Sequence, residues 1–106
     1  MKNLNIAAMM KQAQMMQSRM QEVQDEVGQK TVAASAGGGM VTVTANGKGE
    51  IRSIKLDPKV VQDGDVEMLE DLVLAAVNDA HRRAEEMMKS ALSRIAGPLG
   101  GGGFPF

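Results

Sequence analysis

The chain has 106 residues, a net charge of −1 and 43% apolar residues, with no Trp, Tyr or Cys and its two phenylalanines, Phe104 and Phe106, at the very end. That size fits one domain able to bury roughly two thirds of its unfolded surface, and the composition excludes disulfides, thiolate metal sites and any apolar run long enough to span a membrane. Bulk charge does not call for nucleic acid, so such a role must rest on where the charges lie.

Residues 4–27 predict a helix that ends near Gly28. One stripe through it reads Ile6, Met9, Ala13, Met16, Met20, Val23, Val27. Its steps alternate between three and four, the repeat of a helix that lies along another helix. Met9, Met16, Met20 and Val23 are therefore assigned to a helix-packing or dimer seam, with Met10 and Met15 off the main line. The ten methionines of the chain are adaptable and poorly specifying. They predict a thin core that a second copy completes, hence an obligate homodimer.

The period then changes. Val41, Val43 and Ala45 alternate with Thr42 and Thr44, which is strand behaviour. Asn46 to Gly49, "NGKG", is a hairpin signal. Ile54 and Leu56 share a face of the next strand, and a first strand lies around Thr31 to Ser35, before a turn at Gly37–Gly39. This makes a three-stranded antiparallel meander, which needs covering by a helix or another sheet. Asp57-Pro58 ends the third strand, because the residue before proline is held extended.

Asp63, Gly64 and Asp65 predict a loop and an N-cap. A second long helix is expected from Val66 to Ile95, on a stripe of Leu69, Val73, Ala76, Ala80, Ala84, Met87, Ala91 and Ile95. Leu69, Val73 and Met87 complete the predicted seam. Leu72, Val77, Met88 and Leu92 widen the stripe, and the alanines allow close approach. The expected class is α+β, an α-β-β-β-α protomer with one domain over residues 1–96. Residues 97–106, "GPLGGGGFPF", are expected to be a flexible Gly/Pro-rich tail.

Three stretches, "MMKQAQMMQSRMQEVQDEV", "GGGMVTVTANGKGEIRSIKLDP" and "MLEDLVLAAVNDAHRRAEEM", resemble in order and spacing the YbaB/EbfC family of small bacterial nucleoid-associated proteins. The resemblance covers nearly the whole chain. It implies an α-β-β-β-α protomer, an intimate homodimer with projecting, tweezer-like helices, and binding of double-stranded DNA that organises the nucleoid and influences transcription. It implies no catalytic motif and supplies no set of DNA-contact residues.

The residues themselves argue against an enzyme. His81 is the only histidine and has no companions at metal-ligand or catalytic spacing. It reads as a solvated helix residue. Glu85 and Glu86 read as helical ion-pair partners of Arg82 and Arg83. Gly37–Gly39 lack the lysine and helix of a phosphate loop. No metal, cofactor, small-molecule substrate or membrane partner is expected.

The positive charges are polarised. Lys2, Lys11 and Arg19 precede any acid in the first helix. In the second helix Glu67, Glu70 and Asp71 come first, and Arg82, Arg83, Lys89 and Arg94 come last, an order that suits the helix dipole. If the two helices pack antiparallel, the basic start of one lies beside the basic end of the other. Lys11, Arg19, Arg82, Arg83, Lys89 and Arg94 are the candidate DNA-binding residues. With no aromatic platform for bases and no recognition module, the expected contacts are with duplex backbone, at weak sequence preference. The expected setting is the cytoplasm and its nucleoid. The alternative is an adaptor whose helical face binds proteins without touching DNA.

Overall fold

The computed structural model describes residues 5–100, and the side chains of residues 5–95. The order is α1 (Ile6–Gln29), β1 (Thr31–Ala36), β2 (Val41–Asn46), β3 (Ile51–Leu56), α2 (Pro58–Gln62) and α3 (Val66–Gly100). The expected α+β meander between two long helices is present, with one further short helix. The five residues of α2 are too few to show a helical period, so the sequence pattern does not reveal it. Its start is nonetheless encoded: Asp57 accepts a bond from the Lys59 amide, and Pro58 takes the first helical position.

The sheet order is β1-β2-β3, antiparallel throughout. Register places Ala34, Val43 and Ile54 in one row, and Ala36, Val41 and Leu56 in the next. Both rows lie on one face, because side chains alternate along each strand. Gly37, Gly38 and Gly39 all adopt positive φ in the β1–β2 turn, a conformation that side-chain-bearing residues rarely take. The β2–β3 turn is built on Asn46. Its side-chain oxygen accepts from the amides of Lys48 and Glu50, and its side-chain amide donates to the Glu50 carboxylate. Beyond it the register slips, since Thr44 faces Ser53 but Ala45 faces Ile51. Arg52 is thus the extra residue of a bulge.

α3 begins where expected, capped by Asp65, whose carboxylate accepts from the Met68 amide. It continues past Ile95 through Gly97 and Pro98 to Gly100. A proline this near the end forgoes one amide bond, and helix already formed propagates at little cost per residue. The remainder of the expected tail, 101–106, lies outside the described residues.

Ala76, Ala80 and Ala84 are fully buried against Ala34, Val41, Val43 and Ala45. The alanines therefore bring α3 close to the sheet, over β1 and β2, rather than to another helix. Among the described residues, no fully buried side chain is larger than valine.

Candidate nucleic-acid interface

α1 leads into β1, and its last turns rest on the β2–β3 hairpin. Gly47 donates its amide to the Lys30 carbonyl, and an added Cβ there would collide with the Val27 carbonyl and side chain. The same hairpin reaches α3 through Gly49, beside the His81 ring. Further back along α1, residues from Lys11 to Glu26 share a groove with Arg94 and Ile95 near the end of α3. The end of α1 thus lies near the middle of α3, and its earlier turns lie near the end of α3. The two helices are antiparallel.

That groove, of about 1070 Å³, collects Lys11, Arg19 and Arg94 from the two helices. All three are exposed. Gln12, Gln14 and Ser18 add neutral hydrogen-bonding groups that charge patterning alone does not single out. Glu22 and Glu26 line the same groove nearer the hairpin, so its positive character lies toward the start of α1. The floor is apolar: Met16, Val23 and Ile95 are half-buried there.

Lys89 is exposed on α3. At about 100° per residue it stands about 140° around the helix from Arg94, so it does not join the groove. Arg82 and Arg83 are engaged differently. Arg82 pairs with Asp79 and Glu86, and Arg83 pairs with Asp79 at 3.0 Å. Asp79 is the shared partner, and of the expected Glu85 and Glu86 it is Glu86 that pairs, with Arg82. The bond from Arg82 holds the Asp79 carboxyl below the usual carboxylate range, with Arg83 adding to the effect against a smaller opposing desolvation. Asp79 in turn raises the Arg82 guanidinium.

The predicted seam is only partly covered within one chain. Met16, Val23, Leu69, Val73 and Met87 are half-buried, whereas Met9 and Met20 are exposed, as are Met10 and Met15. The stripe does face α3, but one neighbouring helix covers a line narrower than the stripe. His81 is exposed. Among the described residues no group of three His, Cys, Asp or Glu is placed to hold a metal, and no helix is long and apolar enough to cross a membrane.

A small sheet with one face covered by a long helix, and a second helix set antiparallel along it, defines an α+β protein whose two long helices share a groove that gathers three cations toward one end. A family model described as the YbaB/EbfC DNA-binding family matches residues 1–99, and the chain belongs to that family. It is a DNA-binding family rather than an enzyme family. The chain is 56% identical over 97 residues to a nucleoid-associated protein of Acetivibrio thermocellus, covering 92% of this chain and 86% of the relative. It is 57% identical over 95 residues to one of Thermoanaerobacter pseudethanolicus, covering 90% and 86%. In fold it is similar to the crystal structure of an uncharacterised Helicobacter pylori protein. The TM-score is 0.78 at 22% identity, over 89% of this chain and 99% of the other.

Proposed function

We propose that the chain is a nucleoid-associated protein that binds double-stranded DNA as a homodimer, chiefly through phosphates and with weak sequence preference. In this role it organises the nucleoid in the cytoplasm and modulates gene expression. The observation that carries the reading is the convergence of Lys11, Arg19 and Arg94 on one groove, in a protein whose net charge is −1. Lysine and arginine supply the electrostatic attraction to phosphate that dominates such binding. Family membership and the names of the relatives support the same conclusion. The homodimer is supported by the small core: large apolar side chains, among them Leu74 and Val66, lie outside it.

Arg82 and Arg83 contribute less than the groove residues, because Asp79 and Glu86 already neutralise them. Lys89 acts from a separate face. A gel shift with two unrelated duplexes tests the proposal. Retardation of both at micromolar dimer, weakening with salt, is expected. No retardation even at low salt would favour the adaptor, which the exposed Met9, Met10 and Met15 of α1 would then serve.

A further inference from the structure

Among the described residues that line the groove shared by α1 and α3, Met15 is the one exposed apolar side chain, at 61%, while Met16, Val23 and Ile95 are half-buried in the floor. Met15 lies off the apolar stripe of α1, so helix packing does not account for it. It stands four residues after Lys11 and four before Arg19, which puts the three side chains on one line along the helix surface. Both cations line the groove, and Arg94 joins them from α3.

The width of the helical pair limits how it meets a duplex. Packed helices lie about 8–10 Å apart, and each is about 10–12 Å across, so the face they share is roughly 20 Å wide. That is too wide for the major groove, about 12 Å across, or the minor groove, about 6 Å across. The face rests on the sugar–phosphate ridges, and only single side chains reach inside. Lys11 and Arg19 are about 12 Å apart along the helix axis. That span sets one cation on each ridge beside a minor groove, with Met15 over the opening between them.

We propose that Met15 enters the minor groove of bound DNA and wedges a base step open, bending the duplex, while Lys11 and Arg19 hold the phosphates on either side. The inference rests on the reading of this groove as the DNA site and adds what the site does to the duplex. Apolar side chains set into the minor groove partly unstack the step beside them and kink the DNA toward its major groove. Methionine suits this place, since its unbranched, polarizable chain fills irregular gaps. The cost of opening a step depends on its sequence and is low at pyrimidine–purine steps, which kink readily. The resulting preference is for deformable DNA rather than for a pattern of bases, in keeping with recognition chiefly through phosphates.

Two duplexes of equal length and A·T content test the proposal. One is rich in TA and CA steps; the other has a mixed run of A and G on one strand and so holds no pyrimidine–purine step. Dyes at the two ends report bending by energy transfer, and affinity is measured across a range of salt. The proteins are the parent, Met15→Ala, Met15→Leu and Met10→Ala; Met10 is 58% exposed on α1 but does not line the groove. The parent is expected to bind the first duplex at least threefold more tightly and to bring its ends closer. Met15→Ala should bring that ratio near one and abolish the bend, with the salt slope unchanged because the phosphate contacts remain. Met15→Leu and Met10→Ala should behave as the parent. Position 15 is exposed and alanine is the strongest helix former, so the fold persists. A parent that binds both duplexes and bends neither, or a Met15→Ala protein that bends DNA as the parent does, would overturn the wedge and leave the phosphate site standing. A parent that binds neither duplex would overturn both.

Discussion

Gly47 lies directly on Val27, so the hairpin between β2 and β3 is seated against the end of α1 with no room for a side chain. Both residues are buried, and the Gly47 amide reaches the Lys30 carbonyl. This contact sets where α1 leaves the body of the protein, and therefore where Lys11 and Arg19 stand relative to α3.

Gly47→Ala should lower stability by about 1–3 kcal/mol, the usual cost of overpacking, because backbone rather than a flexible side chain must move. Gly28→Ala is the control. A Cβ there meets only the side chain of Lys48, nearest at its Cε, and alanine favours the helix by up to about 1 kcal/mol. Urea denaturation should show a loss for the first and a change within about 1 kcal/mol for the second. Equal effects would mean the contact does not position α1.

Asn46→Ala removes the acceptor of the Lys48 and Glu50 amides in a part-buried turn. A loss of about 1–3 kcal/mol is expected, from two bonds each worth about 0.5–1.5 kcal/mol. Asn46→Asp keeps that acceptor but sets a second carboxylate against Glu50. Mutual repulsion raises the carboxyl pKa values in the folded state, so its deficit should grow as pH rises from about 4 to 7 and shrink in acid. Melting temperatures across that range check the sign.

Much of this architecture is readable in the sequence. The Val41-Val43-Ala45 alternation, the Asn46-Gly47 turn and the Asp65 cap each act within a few residues, and the structure places them as expected. Less local features are not readable. A heptad stripe tells that Met9 and Met20 are apolar, not whether anything covers them. Polarised charge tells that Lys89 and Arg94 share an end of α3, but not that they face different ways around it. Asp79 stands at helical spacing before Arg82 and Arg83, as Glu85 and Glu86 stand after them, and spacing alone does not decide that Arg82 bonds on both sides while Arg83 turns back to Asp79. Ile54 and Leu56 sit on the core face as their alternation implies; that α3 would leave β3 uncovered depends on its path over the sheet.

Ala80→Leu should be among the most damaging single changes, by at least about 1–3 kcal/mol. Position 80 is fully buried where α3 meets the sheet, and a larger side chain must lift the helix away. Met88→Leu, at a half-buried site on the same helix, should cost less than about 1.5 kcal/mol. Thermal unfolding of the pair separates close helix–sheet contact from general apolar content.

The lowered pKa of Asp79 gives a pH signature. Its contribution to stability is present above its ordinary value of about 3.9 and is lost as pH falls through the lower folded value. Asp79→Asn should therefore lose a small amount of stability at neutral pH, small because the pairs are exposed to solvent, and flatten the fall below about pH 4 by that same amount. The same variant frees Arg83, leaves Arg82 only its Glu86 partner, and should tighten DNA binding. Arg82→Ala in the parent background should alter affinity less than Arg94→Ala.

The measurement that bears most directly on the proposed function is the salt dependence of affinity for two unrelated duplexes. It compares the parent with a variant carrying Lys11→Ala, Arg19→Ala and Arg94→Ala. Exposed substitutions of this kind usually change stability by about half a kcal/mol or less each, so the fold should persist, which circular dichroism checks. Binding to both duplexes should weaken alike. The slope of log affinity against log salt should flatten by about 0.9 for each phosphate that the variant no longer neutralises. An unchanged slope and affinity would contradict the assignment of this groove to DNA, and a weakening confined to one duplex would contradict recognition through the backbone.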